Sequence, residues 1–405
     1  MNYIPRHIVQ TMQRFAASFP IVLVTGPRQV GKSTALHHSF PDIPYLTFDD
    51  PSQQLSVKQD PKTFLNMHQS PRIFDEVQYI PELFPYLKMD VDSRGEQGMY
   101  YLTGSQQVSM MQRVSESLAG RIGILQLLGI SLRERFGDSL YSPFIPTREF
   151  IQERKSPSSC PAPKLWEYIH QGSFPVIVTK QVQAEDYYGS YVKTYLERDV
   201  RLLAQVGDEL QFLQFLTVVA SRTGQLLNYS DLAKEVGITG PTAKRWVSIL
   251  VSTGLVYLLK PYATNVEKQV VKTPKLYFLD TGLACWLTKW SSAEVLQHGA
   301  MAGAMFETFV VSEVLKSFLN AGREPSLFFY RDKEGKEIDL LIEDAQTLYP
   351  VEIKKSATPK LDDARNFSVL AQIKGKELGS KVILCSSDVP VLLGQDTYAL
   401  PVTFV

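Results

Sequence analysis

The chain has 405 residues, more than a single hydrophobic core usually holds, so two to four domains are expected. Apolar residues make up 44% of the sequence and charged residues 21%, which excludes a disordered tail protein, a collagen-like fibre and a heptad-dominated rod. Because 42 basic side chains balance 42 acidic ones, no overall field favours nucleic acid or a membrane surface. Any site for a polyanion therefore has to be a local patch.

Cysteine usage and hydropathy bear on the compartment. The three cysteines, Cys160, Cys285 and Cys385, lie far apart and are odd in number, so neither a disulfide framework nor a CxxC metal site is expected. The first residues contain no apolar segment of signal-peptide length, and no run of about 18 uncharged apolar residues occurs. The sequence therefore predicts a cytoplasmic protein without a membrane partner.

Short apolar runs alternate with helical patterns over residues 1–140. The runs cover residues 21–25, 45–48, 72–74, 99–102 and 122–128. Near-continuous apolar strands that are separated by helices are typical of a parallel sheet covered on both faces. This part of the chain is therefore predicted to be an α/β domain.

A phosphate-binding loop follows the first of these strands. The segment Gly26-Pro-Arg-Gln-Val-Gly31-Lys32-Ser33 fits the pattern G-x4-G-K-[ST], and a helical pattern follows it. Glycines there let backbone N–H groups wrap phosphates at the positive end of a helix. We expect Lys32 to neutralise the terminal phosphates of ATP and Ser33 to bind Mg²⁺. The residues predicted to contact ATP are Gly26, Pro27, Arg28, Gln29, Val30, Gly31, Lys32, Ser33 and Thr34.

Four further residues are candidates for a role in hydrolysis. The strand over residues 72–74 runs into Asp75 and Glu76, which are expected to hold Mg²⁺ and to orient or deprotonate the attacking water, respectively. The strand over residues 99–102 leads to Ser105, which either reaches the γ-phosphate or the water, or lies in a plain turn. Arg121 either stabilises transition-state charge at a subunit boundary or forms a surface ion pair.

Residues 209–275 predict a winged helix-turn-helix. Helices are expected over residues 209–221 and 231–236, the second capped by Ser230 and ended by Gly237, and a third helix is expected after Thr239. Residues 255–259 and 275–279 would form the wing. Residues 209–290 carry nine basic and five acidic side chains, and Lys244 and Arg245 lie on the third helix. Such a helix either binds DNA or contacts another protein, and both interpretations stay open.

The C-terminal part contains Asp339 and, thirteen positions later, Glu352-Ile-Lys354. If a hairpin turns around residues 344–347, Asp339 and Glu352 lie directly opposite each other, close enough to share a metal ion, and Lys354 lies on the same face. Ile338, Leu340 and Ile342 would form the apolar face. Pro350 could introduce a bulge that separates the two carboxylates, and outward charges on a strand often form only a solvated face.

These motifs together resemble two known groups of proteins. The loop, the FDE, LTGS and SLAGR segments, YLERDV at 195–200, KLYFLDTGLA at 275–284 and FYRDKEGKEID at 329–339 are similar to a widespread prokaryotic family of AAA+ ATPases with a C-terminal domain of unknown function. The spacing D-x12-E-x-K resembles PD-(D/E)XK nucleases, in which acidic groups bind Mg²⁺ and the lysine helps to activate water. Glu307 would supply a third acidic ligand, as in related nucleases.

The resemblance implies a domain organisation and a function. We expect an AAA+-like P-loop NTPase domain at 1–140, a linker and helical region at 141–207, a winged-helix-like domain at 208–290 and an α/β restriction-endonuclease-like domain at 291–405. The predicted protein is an ATP- and Mg²⁺-dependent ATPase, a homo-oligomer, whose cycle controls the C-terminal parts on DNA. The alternative is an ATP-dependent regulatory or defence switch whose nuclease-like domain is silent and recognises a partner.

Overall fold

The computed structural model of the chain describes residues 3–105, 108–154, 160–179, 181–194, 209–263 and 273–405. The YLERDV segment at 195–200 lies outside these ranges, as do Gln106, Lys268 and Lys272. Of the helices in the described part of the chain, none combines the length and the apolar character that a membrane span requires.

The first part of the chain is an α/β layer. Its strands are β1 (Ile21–Gly26), β2 (Tyr45–Thr47), β3 (Arg72–Asp75), β4 (Tyr100–Ser105) and β5 (Ile122–Gln126). Its helices are α1 (Ile8–Ala16), α2 (Lys32–Ser39), α3 (Pro51–Gln59), α4 (Pro61–Met67), α5 (Phe84–Arg94), α6 (Val108–Leu118) and α7 (Leu132–Phe136). The five strands predicted from the apolar runs are thus confirmed, with ends that differ by up to three residues.

All described strand pairs of this sheet are parallel, in the order β2-β3-β4-β1-β5. Alternate residues of β1 point to opposite faces: Val22 and Val24 join one buried apolar cluster, while Ile21 and Leu23 join the other. Gly26 pairs with Ser105, and Thr47 pairs with Asp75. The carboxyl ends of β1, β3 and β4 therefore meet at one edge of the sheet, where ligands bind in open α/β folds.

Local capping explains where several helices begin. Asp50 and Asp60 each accept a backbone N–H at the start of α3 and α4, and proline follows each of them at the first helical position. Ser131 and Glu134 form a reciprocal capping box at α7. Each cap satisfies backbone donors that the helix itself leaves unpaired.

A helical region connects this layer to the remainder of the chain. Its helices are α8 (Arg148–Glu153), α9 (Ala162–Gln171), α10 (Pro175–Val178), α11 (Ala184–Tyr191), α12 (Glu209–Ser221), α13 (Tyr229–Val236) and α14 (Gly240–Ser252), with strand β6 (Gln225–Leu226). Tyr187 and Tyr191 of α11 are buried and belong to the core.

Helices α12 to α14 begin and end close to the predicted positions, with one correction at a cap. Asn228, not Ser230, caps α13: its Oδ1 accepts the backbone N–H groups of Ser230 and Asp231. The helix thus starts at Tyr229, two residues earlier than predicted, and the extended backbone of Asn228 suits a capping position. Gly237 ends α13 in the left-handed conformation and Thr239 caps α14, as expected.

A second sheet forms the C-terminal part. Its strands are β6, β7 (Val256–Pro261), β8 (Lys275–Phe278), β9 (Leu327–Arg331), β10 (Glu337–Asp344), β11 (Thr347–Lys354), β12 (Glu377–Leu378), β13 (Lys381–Cys385), β14 (Val391–Gly394) and β15 (Thr397–Pro401). The helices are α15 (Thr281–Leu287), α16 (Ala293–His298) and α17 (Ala302–Asn320). The order is β14-β15-β13-β11-β10-β9-β7-β8-β6. Because β7 pairs with both β8 and β9, the antiparallel pair predicted as a wing is continuous with the C-terminal sheet.

The β10–β11 hairpin has the register that the sequence prediction requires. Leu340 pairs with Val351, and Pro350 pairs with Leu341 without a register shift. The predicted apolar face is wrong for Ile338, which packs with Leu341 rather than with Leu340 and Ile342. The pairing of β10 with β9 shifts between Ile338 and Leu341, and this irregularity breaks the alternation of faces.

Helix α17 is buried along most of its length, including its polar side chains. Glu313 accepts the backbone N–H of Leu132 at 2.7 Å, and Lys316 donates to Glu313 at 2.8 Å and to the carbonyl of Ile130 at 3.3 Å. Further along, Ser317 Oγ accepts the N–H of Phe144 at 2.9 Å. The helix therefore joins the segment after β5 to the C-terminal sheet.

The Lys316→Met substitution tests this junction. It keeps the apolar stem but leaves the Glu313 carboxylate buried without its cation, so we expect the free energy of unfolding to fall by about 3–5 kcal/mol. Lys164→Met, which removes an exposed ion pair with Glu167, is the control and should cost about 1 kcal/mol or less. Urea denaturation measures both. Equal, small losses would contradict the importance of the buried pair.

Candidate nucleotide site and C-terminal carboxylate cluster

The phosphate loop occupies the edge where β1 ends. Gly26 and Gly31 have positive φ angles, 143° and 89°, and a Cβ on Gly26 would come within 2.0 Å of the carbonyl oxygen of Leu127. Gly26 is thus required by close approach of the backbone. Gln29 is also left-handed, with φ 63°. The loop leads directly into α2, whose first N–H groups face the same edge.

One buried guanidinium holds the backbone of this loop. Arg6 donates to the carbonyl oxygens of Val30 and Leu128, each at 2.8 Å, and its Nε lies 3.0 Å from Glu134 Oε1. Burial raises the pKa of Glu134, but Arg6 and the N–H groups of Ser131 and His7 outweigh it, and the net shift is downward. The pair therefore stays ionised and ties the loop to the segment after β5.

Lys32 lies inside the loop, 5% exposed, and its Nζ donates to the carbonyl oxygens of Gly26 at 3.2 Å and Pro27 at 2.8 Å. Burial lowers the pKa of Lys32, although the nearby Glu76 and Asp75 carboxylates act in the opposite direction. A buried ammonium that faces the concave side of a phosphate loop can exchange these carbonyls for phosphate oxygens.

Asp75 is the centre of a set of hydroxyl groups. Its carboxylate accepts hydrogen bonds from Ser33 Oγ at 2.6 Å, from Tyr45 OH at 2.7 Å and from the Thr103 hydroxyl. Burial raises the pKa of the Tyr45 phenol, and its bond to Asp75 adds to that effect. The structure thus brings Ser33 and Asp75 together, two residues that lie 42 positions apart.

Glu76 lies beside Asp75 in a left-handed conformation, with φ 59°. Its backbone N–H donates to Thr103 Oγ1 at 3.2 Å, and its carboxylate accepts a hydrogen bond from Gln78. The carbonyl oxygen of the Gln78 amide accepts the N–H of Ser105 at 3.3 Å, while Ser105 Oγ is buried without a partner in the described ranges. Gln78 therefore links the ends of β3 and β4.

A cavity of about 450 Å³ opens beside the loop and is large enough for a nucleotide. It is lined by Lys32, Ser33, Thr34 and Glu76 on one side and by Tyr3, His38, Val176 and Thr179 on the other. Tyr3 stacks on His38 with the ring centroids 3.7 Å apart.

The phosphate loop also contacts the helical region and the strands that follow it. Tyr187 OH donates to Gln29 Oε1 at 2.6 Å, and a Cβ on Gly254 would come within 2.8 Å of Pro27. Asp280, two residues after the end of β8, accepts hydrogen bonds from the hydroxyl groups of Ser173 and Tyr188 at 2.7 and 2.6 Å. The loop is therefore part of an interface with the C-terminal half of the chain.

Arg121 lies away from this edge. It precedes β5 at the amino end of the sheet, about 17 Å from the carboxyl end by strand geometry, and its Nε and Nη2 contact Asp92 at 2.5 and 3.0 Å. The structure thus shows the surface ion pair that the sequence left open. A contact of Arg121 with nucleotide would have to involve a second subunit.

The C-terminal carboxylate cluster comprises Glu307, Glu337, Asp339 and Glu352. Lys275 Nζ lies 2.6 Å from Glu337 Oε1, 3.0 Å from Glu307 Oε1 and 3.9 Å from Asp339 Oδ1. Glu352 contacts Lys354 at 2.7 Å instead. Asp339 Oδ2 accepts the N–H of Ile353 at 2.9 Å. The structure therefore brings the predicted residues Glu307, Asp339 and Glu352 together and places Lys354 beside Glu352. It also adds Glu337 and Lys275, which the sequence prediction did not include.

Burial dominates the acid–base chemistry of this cluster. It raises the pKa of Glu307 and of Glu352, and the Asp339 charge raises both further. For Lys275 burial acts to lower the pKa, but Glu307, Asp339 and Glu337 outweigh it and raise it. Within the described residues, no group of three or more His, Cys, Asp or Glu side chains has a metal-binding arrangement.

Lys244 and Arg245 lie on the exposed side of α14, and no ion pair involves either of them among the described residues. Their neighbours Trp246 and Val247 are buried, with Trp246 packed edge-on against Phe212 and Phe215. The core side of the helix thus fixes which side chains face solvent.

Sequence reasoning missed the residues that hold the side chains or the backbone of the two sites in place. They are Arg6, Tyr45, Gln78 and Thr103 at the phosphate loop, and Lys275, Tyr277 and Glu337 in the C-terminal carboxylate cluster. Thr103 carried a signal, because it ends the same apolar run as Ser105. Lys275 and Tyr277 carried a weaker one, since alternation places both on one face of a strand. Arg6 had none.

The Thr103→Val substitution tests the hydroxyl that joins Asp75 to the backbone of Glu76. It preserves shape but leaves two buried polar groups with one partner fewer, so we expect a loss of about 1–3 kcal/mol in unfolding free energy. Thr47→Val is the matched control, because Thr47 is 3.4 Å from Asp75 and should matter less. Chemical denaturation measures the unfolding free energy of both variants. An equal loss of unfolding free energy in the two would contradict the greater importance of the Thr103 hydroxyl.

Three family models match the chain. Residues 18–136 match an AAA domain, residues 162–294 match a domain of unknown function, DUF8612, and residues 302–405 match a second one, DUF4143. Two curated relatives, the uncharacterized proteins Rv2008c of Mycobacterium tuberculosis and Mb2031c of Mycobacterium bovis, are each 29% identical over 363 residues, 88% of this chain and 75% of the relative.

Solved structures resemble the chain only distantly. The Walker-type ATPase PABY2304 of Pyrococcus abyssi is 16% identical, with a TM-score of 0.41 over 69% of this chain and 94% of that one. AMPPCP-bound DnaA from Aquifex aeolicus is 11% identical, with a TM-score of 0.26 over 60% and 85%. The matched AAA domain and the parallel sheet that bears a phosphate loop show that this chain contains an ATP-binding, AAA-type P-loop ATPase domain.

Proposed function

We propose that the protein is a Mg²⁺-dependent AAA+ ATPase whose nucleotide state is passed to a winged-helix and nuclease-like C-terminal half that acts on DNA. The observation that carries this proposal is the meeting of Lys32, Ser33, Asp75 and Glu76 at one sheet edge, with Ser33 Oγ 2.6 Å from Asp75 Oδ1. These residues come from two separate strand ends, and a structural turn would not require them together.

The donor set fits a magnesium ion. The Ser33 hydroxyl and the Asp75 carboxylate are hard oxygen ligands, and Asp75 is 5% exposed without a cation bonded to it in the described residues. When bound, Mg²⁺ would neutralise charge on the β- and γ-phosphates. Lys32 would turn from the loop carbonyls to the terminal phosphates, and the loop N–H groups would complete the cradle.

Glu76 is the residue placed to orient the attacking water. Its left-handed backbone and its bond to Gln78 hold the carboxylate beside the phosphate loop rather than in a salt bridge. Ser105, whose hydroxyl has no described partner, is available for the water or the γ-phosphate. Arg121 is proposed to act only across a subunit boundary of a homo-oligomer, after release from Asp92.

Hydrolysis tests this assignment. Glu76→Gln should bind ATP normally but lower kcat by about 100-fold or more, because the general base is lost while the cradle is intact. Lys32→Ala should abolish nucleotide binding. Calorimetry measures binding and phosphate release measures turnover, with Glu82→Gln, an exposed glutamate of the same domain, as the control. Normal turnover by the Glu76→Gln protein would refute the role of this residue.

The contacts of the loop support transmission to the C-terminal half. Gln29 and Pro27 are loop residues, and they touch Tyr187 and Gly254, respectively. Gly254 precedes β7, and β7 pairs with β9 of the C-terminal sheet. A change in loop conformation on nucleotide binding would therefore act directly on the winged-helix strands.

DNA binding is proposed for the exposed face of α14. Residues 209–290 have a net charge of +4, and Lys244 and Arg245, which form no ion pair with any other described residue, lie together on the third helix of the module. Free cationic side chains on such a helix suit contacts with phosphates, which release counterions when they form.

A salt titration tests this surface. Replacing both Lys244 and Arg245 with alanine should weaken DNA binding at low salt and reduce the slope of log K against log salt by about 1–2. A double variant of the exposed Lys58 and Lys62 removes the same charge from the AAA domain and serves as the control. If the two variants bind DNA alike, α14 faces a protein partner instead.

A second candidate function keeps the ATP-dependent switch but assigns the nuclease-like part to recognition alone. One observation favours it: the C-terminal carboxylate cluster already surrounds the ammonium group of Lys275. A magnesium-dependent nuclease needs those oxygens for a metal ion.

A further inference from the structure

Each carboxylate of the C-terminal carboxylate cluster already has a partner on one of its oxygens, although Glu352 Oε2 is buried without a hydrogen-bond partner among the described residues. Glu307 Oε1 accepts hydrogen bonds from Lys275 at 3.0 Å and from Tyr277 OH at 2.6 Å. Glu337 Oε1 contacts Lys275, Asp339 Oδ2 accepts the N–H of Ile353, and Glu352 Oε1 contacts Lys354. An Mg²⁺ ion requires near-octahedral oxygen coordination at about 2.1 Å, so Glu307, Glu337 and Asp339 would have to exchange their present partners for the ion.

The position of Lys275 is fixed by its surroundings. The residue is 4% exposed, it starts strand β8, and its Nζ lies 5.6 Å from the centre of the Phe329 ring. Its nearest carboxylates come from α17 and β10, two elements that are distant in sequence. An ammonium group has three N–H donors, and three carboxylates surround this one.

Charge also suits a lysine better than a divalent ion. The four carboxylates face Lys275, Lys354 and Arg331, whose Nη1 is 3.5 Å from Glu337, so the cluster has a formal charge of −1. A divalent ion added to these cations would leave an excess positive charge in a buried site, which is costly.

We propose that Lys275 is the resident cation of the C-terminal carboxylate cluster and takes the place that a divalent metal ion would need. The cluster is then a metal-free centre that positions β8 against α17 and β10 and does not cut nucleic acid. This inference rests on the proposed nuclease-like interpretation of the C-terminal half, and it decides between the two candidate functions above.

Mn²⁺ binding by the nucleotide-free full chain tests the inference, with free Mn²⁺ measured by electron paramagnetic resonance. The wild-type protein and Asp339→Asn should bind Mn²⁺ equally weakly, because the cluster holds no metal site. Lys275→Met should gain affinity by about tenfold or more, a change of about 1.4 kcal/mol or more in binding free energy. Adding Asp339→Asn to Lys275→Met should abolish the gain.

Lys376→Met is the control for charge, since Lys376 pairs with Glu343 on the same sheet at 2.5 Å but lies outside the cluster. It should bind no more Mn²⁺ than the wild type. Tighter Mn²⁺ binding by the wild type than by Asp339→Asn would overturn the proposal, as would DNA cleavage with Mn²⁺ that Asp339→Asn loses. This comparison decides the question even if Lys275→Met does not fold.

ATP hydrolysis by the same preparations distinguishes failure of the proposed ATPase function from failure of the inference about Lys275. Loss of ATP hydrolysis in the wild type would remove the proposed ATPase function but would say nothing about Lys275. Wild-type Mn²⁺ binding at Asp339 with normal ATP hydrolysis would remove only the inference about Lys275.

Discussion

Burial of α17 is the constraint on which the arrangement of the chain depends. Its 19 residues would span about 28 Å, and polar side chains along it are buried as deeply as apolar ones. Because a buried polar group without a partner is costly, each of these side chains needs a hydrogen-bond partner. Thr308 forms a hydrogen bond with Thr223, Ser312 donates to the carbonyl of Leu279, and Glu313 accepts the N–H of Leu132. These partners fix the AAA sheet and the C-terminal sheet to the same helix.

The charged side chains of the two candidate sites have different kinds of partners. At the phosphate loop, the described partners of the Asp75 carboxylate are neutral hydroxyls, and Lys32 is bound to backbone carbonyls. This arrangement suits the proposed binding of a nucleotide and its ion. In the C-terminal carboxylate cluster, lysine and arginine side chains form ion pairs with the carboxylates. The first arrangement suits turnover of a ligand, and the second suits a fixed structure.

Strand β8 connects these two sites. Lys275 lies at its first residue, within the carboxylate cluster, and Asp280 lies just beyond its end, where it accepts hydrogen bonds from Ser173 and Tyr188 near the phosphate loop. The two residues are separated by about 17 Å of extended chain. The proposed passage of the nucleotide state to the C-terminal half therefore needs only one short element, together with the contact of Pro27 with Gly254.

The sequence by itself determined the features that local chemistry dictates. Glycines at 26 and 31, the strand that precedes them and the lysine that follows are neighbours in the chain, and the β10–β11 register depends only on a short turn and the alternation of side chains. Asn228 was missed as a cap because Ser230 was an equally good local candidate. Only the tertiary structure decided which charges meet: Arg6 with Glu134, Gln78 with Glu76 and Ser105, and Lys275 with Glu307 and Glu337. Most of these partners lie tens of residues or more apart, and a hydrogen bond or an ion pair depends on distance in space, which spacing along the chain does not specify.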